Sequence, residues 1–580
     1  MSRAEARSAQ PGTWASGTLL FNQSLPEYGA VGLMLALLLV LVGLPMIFTV
    51  VSAFLTDPFD FSKGFSLSTI HSTYTSGEIW HSAMQTVLMS VAVGVVATAM
   101  GTLLAWTLIH FKLPAASYLE TVVVVPLFLS PLVGAISWVA LAAPRSGVLN
   151  ELLREFGAPG WMQINIMSVG GIAFVFVFHY IPYGYLFLAG TLRNTDVSLE
   201  EASHMCGANT WRTTREILLP LLRSSVLSSI LFVTILAAGE FSVPSVLGAQ
   251  GSFVPLSVHL YEAIYGFPQD YARAAAIGTL LVTVSLTAFY FYRRNVRDSR
   301  RFITVTGRGY ASAQVDPGKW RIPILAVFGL YAFITVVLPY AALLFIVFTR
   351  FRTGDLHTTE FTLRNLEAVL AAPGVQNAIF NTLTVSLVVP FVCVVIGVII
   401  VYMHERLRLI GSGFAMYLAT APIAVSGIVF ATGVLVVYVS TPVYATIWII
   451  AIGLGAHYLA HAVRIAGNGL GQLDPSLEEA AQLNGASRLR VVSSIVAPLL
   501  RPSLFAAFVL IFVFSVREVN TAILLYSPSS QLLSVLAWNY IADGTVAQAA
   551  VVGMLQTIMM IAGIVFARLV LGVQTTRNAM

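Results

Sequence analysis

Among the ionisable residues inside long apolar stretches, four form two pairs separated by the same 278 residues: Glu240 with Glu518, and His179 with His457. Ionisable groups in such stretches are costly, and they face a bundle interior or a watery cavity. Carboxylates are hard oxygen donors, suited to cations. Two readings of the glutamate pair are therefore open: an outer gate that touches passing substrate, or a polar contact that holds two parts of the chain in register. Arg517 and Asn520 flank the second glutamate where the first has Gly239 and Ser242, so the two sides differ chemically and Arg517 is at hand as a charge partner. The histidines read more readily as hydrogen-bonding braces than as ligands. No nucleophile–base spacing or metal motif rises above background, so neither catalytic nor metal residues are expected. A phosphate-binding P-loop needs Gly-x4-Gly-Lys followed by Ser or Thr; only Lys63, Lys112 and Lys319 exist, and Lys319 is followed by Trp320.

The elements that carry these residues follow from composition. With 580 residues, 57% of them apolar and 10% charged, and a mean hydropathy of +0.84, the chain has too little polar surface for a soluble globule of its size. Stretches of roughly 20 apolar residues, enough to cross a bilayer core, lie near 28–55, 82–110, 120–142, 167–193, 222–247, 272–292, 322–348, 378–403, 411–439, 444–470, 500–526 and 546–572. The expected fold class is an all-α membrane protein of about twelve transmembrane helices. With the N-terminus inside, 23 of the 31 basic residues face the cytoplasm, as the positive-inside rule requires. Both termini are then cytoplasmic. The net charge of +5 reflects this topology, and no nucleic-acid partner is implied. The first span is too long for a cleaved secretory signal and should persist as a helix. Cys206 and Cys393 give no disulfide framework.

The segment Asp196–Arg223 recurs at Asp474–Arg501 without a gap, with fourteen of 28 positions identical. The chain contains one unit twice. Ser198-x-x-Glu201 and Ser476-x-x-Glu479 have the spacing of a capping box that starts a helix. Gly207 and Gly485 suit the left-handed residue that ends one, and Asn209 and Ser487 can cap the next helix, which leads to Pro220 and Pro498. The spacing Glu-Ala-Ala/Ser, three residues, Gly, nine residues, Ile, two residues, Pro closely resembles the cytoplasmic loop of binding-protein-dependent ABC importer permeases. That resemblance implies that Glu201, Ala202, Gly207, Glu479, Ala480 and Gly485 couple the chain to two ATP-binding subunits, which would carry ATP and magnesium. It also implies an extracytoplasmic substrate-binding protein and a place in the bacterial inner membrane.

Two parallel six-helix repeats are expected: residues 1–292, a basic cytoplasmic linker at 293–321, and residues 322–580. Upstream of the loops the halves align at an offset of 296, as Thr86 with Thr382 and Pro126 with Pro422. The difference of 18 places an insertion in the outer loop around 143–166. Glu240, 20 residues beyond Pro220, should stand about 30 Å from the inner end at 1.5 Å per residue, close to the outer mouth. Its surroundings, Ala238–Gly248, and the stretch Arg517–Tyr526 look like those of ferric-iron permeases, so ferric iron is the first expectation for the substrate. A small organic solute (thiamine, an aminophosphonate or a polyamine) moved by the same mechanism is the alternative, and a secondary transporter is the rival from another class.

Overall fold

The computed structural model describes residues 25–193, 202–203, 205–248, 253–299, 315–349 and 360–571, and the described part is helical throughout, with only isolated β-bridges. A backbone in lipid must satisfy its own polar groups, and helices do this within one segment. In chain order the first half contains α1 (Tyr28–Phe54), α2 (Gly77–His110), α3 (Ala116–Phe128), α4 (Pro131–Ala142), α5 (Val148–Glu155), α6 (Val169–Arg193), α7 (Trp211–Ala238), α8 (Ser242–Leu247), α9 (Leu256–Tyr265) and α10 (Tyr271–Asn295). The second contains α11 (Gly318–Val347), α12 (Pro373–Glu405), α13 (Ser412–Ala424), α14 (Gly427–Tyr438), α15 (Ile447–Gly471), α16 (Ser476–Leu483), α17 (Val492–Arg517), α18 (Ala522–Leu525), α19 (Leu533–Ala542) and α20 (Val546–Ala567).

Among the described residues ten helices are long and apolar enough to cross a membrane, or twelve if each of two bent pairs is one span. Two of the expected spans, 120–142 and 411–439, are not single helices: α3 and α4 meet at 94°, and α13 and α14 at 118°. Pro131 explains the first bend, because the residue before a proline is pushed out of the helical region and Ser130 is extended, with ψ of 134°. Two more expected spans stop early. α7 ends at Ala238 and α17 at Arg517, and each is followed by a short re-entrant helix, α8 or α18, and then by a ten-residue helix, α9 or α19.

Prolines inside the long helices leave a different mark. Wide π turns at Leu39–Gly43, Thr214–Leu218, Phe333–Val337 and Val492–Val496 each end two residues before Pro45, Pro220, Pro339 or Pro498. A proline has no N–H and its ring crowds the carbonyl one turn back, and a π turn accommodates both.

The innermost contacts pair α2 with α6, and α12 with α15. Small residues let the backbones close up: a methyl group on Gly184 would lie 2.9 Å from the Ala97 carbonyl oxygen and 3.4 Å from the Cα of Gly101. The first helix of each half crosses to the other half. α1 packs on α14, with Tyr438 OH donating to Val40 O (2.9 Å), and α11 packs on α3 and α4, with Tyr331 OH donating to Val123 O (3.1 Å). The change of offset falls between α4 and α6. Here the first half inserts α5, pinned by Asn150, whose Nδ2 donates to Ala143 O (3.0 Å) and Ile164 O (2.8 Å).

Candidate functional site

Where the halves meet they enclose a cavity of about 140 Å³, room for about four or five waters at roughly 30 Å³ each. His179 and Tyr180 of α6, His457 and Tyr458 of α15, and both glutamates line it. Each glutamate follows the abrupt end of a long helix and satisfies the backbone donor next in line. Glu240 Oε1 accepts from Ser242 N (3.0 Å), and Glu518 Oε1 accepts from Thr521 N (2.9 Å). This is capping by a carboxylate, which also suits the positive end of a helix. Ser242 Oγ donates to Glu240, Tyr458 OH donates to Glu518, and Ser257 Oγ donates to the Glu240 carbonyl (3.0 Å).

Glu240 stands at the level of Thr86 in α2. Leu256 N donates to Thr86 Oγ1 (3.1 Å) and Ser82 bonds His259 (2.9 Å), so α9 runs antiparallel to α2, from the level of Thr86 toward the end at Gly77. Nine residues of α2 at 1.5 Å each place that level about 13 Å from the Gly77 end of the helix. α7 runs to Ala238, and the chain then breaks at Gly239, where one apolar span through 247 was expected.

Across the junction the second half holds the first. Asn520 Nδ2 donates to Glu240 Oε2 (3.3 Å), and Asn520 Oδ1 accepts from Phe241 N (3.1 Å). Arg517, expected as a charge partner for Glu518, instead donates through Nη1 to the carbonyls of Leu127 and Leu129, at the C-terminal end of α3 where carbonyls lack helical donors. It also lies over the Phe514 ring, 4.9 Å from its centroid. Outside this level an aromatic layer joins the halves: Phe241 and Tyr261 pack on Trp538 at 5.8 and 5.0 Å, Tyr265 stacks on Tyr526 at 6.3 Å, and Trp538 Nε1 donates to Ser245 Oγ (3.1 Å). The sequence reading overlooked His461, which lines the same cavity. Its signal was present, a second ionisable residue one turn after His457, but its counterpart is Tyr183 and a search for matched pairs passes over it. Among the described residues no three His, Cys, Asp or Glu side chains converge to hold a metal ion.

The two loops lie elsewhere, at the ends of α6 and α15. Gly207 and Gly485 have φ of +82° and +83°. The six-residue closures of a helix C-cap follow in both copies, Ala208 N to Ser203 O and Ala486 N to Ala481 O, both 3.1 Å. Asn209 Oδ1 accepts from Arg212 N (2.8 Å) and starts the next helix. The expected capping box is not formed in the second copy. Ser476 is already helical, and Asp474 Oδ1 accepts its N–H (2.9 Å). Pro475 decides this, since its fixed φ suits the first helical position and moves the cap one residue upstream of it. Those donors from Ser476 hold the Asp474 carboxyl below the usual carboxylate range. The matching start of the first copy, Ser198 and Glu201 included, lies outside the described residues. Ala202, Glu479 and Ala480 are exposed.

One acidic residue of the second loop faces inward. Glu478 meets Arg406 at 2.8 Å and accepts from Tyr402 OH (2.9 Å), while Arg406 also donates to Leu473 O (2.5 Å). The close carboxylate–guanidinium approach is misaligned as a hydrogen bond, so its attraction is coulombic. In the first half Arg193 pairs with Glu120 at 2.6 Å. On the outward side of each loop, Met205 and Leu483, exactly repeat-related, are 90% and 89% exposed.

Residues 97–301 match the family described as the binding-protein-dependent transport system inner membrane component. The chain is 29% identical over 481 residues to the ferric transport system permease protein FbpB of Actinobacillus pleuropneumoniae, covering 82% of this chain and 69% of that one. It is 24% identical over 480 residues to the Fe(3+)-transport system permease protein FbpB 2 of Haemophilus influenzae, covering 80% and 85%. The sulfate transport system permease protein CysW of Escherichia coli is 27% identical over 260 residues, 44% of this chain and 83% of that one. A multi-span helical bundle, a loop built twice and these matches lead to one conclusion: the chain is similar, over most of its length, to the membrane permeases of binding-protein-dependent transport systems.

Proposed function

We propose that the chain forms the whole pore of an ATP-driven importer in the bacterial inner membrane, with both termini cytoplasmic. Residues 1–292 and 322–580 act as its two repeats, joined by the 293–321 linker. The observation that carries this reading is the repeat-related pair Met205 and Leu483. Two large apolar side chains held out in water beside left-handed glycines are anchors for a partner surface, since such residues dominate interfaces when they fill a pocket. Two equal anchors suit two copies of one ATPase. Glu201, Ala202, Glu479 and Ala480 belong to the same docking helices, and ATP and magnesium belong to the partners.

The cargo we assign is ferric iron, delivered by an extracytoplasmic binding protein. The relatives named for ferric transport support this, and so does a cavity flanked by two carboxylates, which disfavours an anion such as sulfate. Among the described residues the only arginine lining it, Arg517, is committed to the Leu127 and Leu129 carbonyls. Glu240, Glu518, Asn520 and Arg517 serve as the outer gate, with the aromatic layer above them, and His179 and His457 line the path.

The coupling assignment is tested by cysteine cross-linking in a Cys206→Ser background. Met205→Cys and Leu483→Cys should each cross-link to the co-expressed ATPase, and a cysteine at Trp161, an exposed residue of the loop between α5 and α6 at the opposite end of α6, should not. Absence of cross-links at both loop positions in a complex that hydrolyses ATP would remove the assignment.

A further inference from the structure

α15 places His457 and His461 four residues apart, on one face and about 5–6 Å apart between Cβ atoms, and both line the cavity between the halves. The Nδ1 atom of each ring is buried and has no hydrogen-bond partner. Aromatic contacts hold the rings in place: Tyr458 meets His457 edge-on at 5.4 Å and His461 at 5.9 Å, and Phe514 meets His461 at 5.5 Å. A brace would spend its ring nitrogens on protein partners, because an unpaired buried polar atom costs about 1–3 kcal/mol. These two imidazoles are positioned by packing and keep lone pairs that no protein donor takes up. Two histidines at this spacing are also how a helix presents imidazoles to a transition metal. The opposite wall lacks the arrangement, since Tyr183 stands where the second half has His461.

We propose that His457 and His461 form an open two-imidazole site for a divalent transition-metal ion such as Zn²⁺, Ni²⁺ or Cu²⁺. Imidazole suits these ions, whereas the oxygen donors beside it suit harder ones. Because no third His, Cys, Asp or Glu converges on the pair among the described residues, water fills the remaining positions and the ion exchanges with the cavity. An ion held there stands in the path between the halves and obstructs passage. Binding follows from the site alone, while the obstruction rests on the pore reading given above.

Cu²⁺ is the probe for binding. The purified permease in nanodiscs receives one equivalent of Cu²⁺, and electron paramagnetic resonance reads the number of equatorial nitrogens. Wild type and His179→Gln should show a two-nitrogen signal, and His457→Gln and His461→Tyr should lose it or bind about tenfold more weakly, a change of about 1.4 kcal/mol. His461→Tyr installs the residue that the first half already holds at the matching place, and its melting temperature reports on folding. An unchanged signal in both variants, or no two-nitrogen signal in wild type, overturns the site. Uptake in cells is the separate arm: Zn²⁺ should inhibit wild type and inhibit His461→Tyr about tenfold less. Cu²⁺ binding as expected with uptake indifferent to Zn²⁺ would leave the site standing and refute the obstruction.

Discussion

Glu240 is 7% exposed and has bonds from Ser242 and from Asn520 across the junction; Glu518 has bonds from Thr521 and Tyr458. Replacing both with Gln keeps size and part of the bonding but removes the charges. If they form a charged gate, binding-protein-stimulated ATP hydrolysis should fall severalfold while the protein remains folded. Normal stimulation and uptake in the double variant would leave them as braces only. Arg517→Met gives a second residue-scale outcome. It strips donors from the Leu127 and Leu129 carbonyls, which should lower stability by about 1–3 kcal/mol, read as a lower Tm, and should let ATP hydrolysis run without loaded binding protein. An unchanged Tm would contradict the cross-junction tie. The glutamates and the two repeat-matched histidines were readable because an ionisable residue in an apolar span needs a reason. The partner of Arg517 was not, because local charge logic points to the adjacent glutamate and nothing in sequence marks a carbonyl 390 residues away.

At the scale of elements, the left-handed glycines govern the loops. Nothing lies within 4 Å of an added Cβ at Gly207 or Gly485, so a side chain there meets no clash, only the backbone penalty of about 1–2 kcal/mol that L-residues carry in this region. The double variant Gly207→Val, Gly485→Val should therefore insert in the membrane yet lose association with the ATPase and lose transport. Co-purification with the partner measures this, and undiminished association would sink the coupling assignment. Asp474→Ala removes the acceptor for the first free N–H of α16 and should show as faster amide exchange in α16 alone. The turn glycines could be read from spacing because few residues tolerate positive φ. The cap could not be placed to the residue, since Ser476 and Asp474 both qualify and only Pro475 decides between them. Hydropathy likewise finds 120–142 and 411–439 as apolar but carries no direction, so the bends were hidden even though Pro131 was in view.

Over the whole molecule, α1 and α11 each lean on the opposite half, so the two repeats are clasped and not merely abutted. Sequence repetition showed that there are two units, but crossing depends on packing between segments hundreds of residues apart, as in Tyr438 bonding Val40. In the proposed function the clasp, the loops and the cavity together serve one pore driven by ATP hydrolysed on partner chains. The direct measurement is uptake of ferric iron into proteoliposomes that contain the permease, its ATPase and the loaded binding protein. Uptake should require ATP on the side of the Gly207 and Gly485 loops and should be absent with ion gradients alone. Uptake driven by a proton or sodium gradient with no ATPase present would contradict the account.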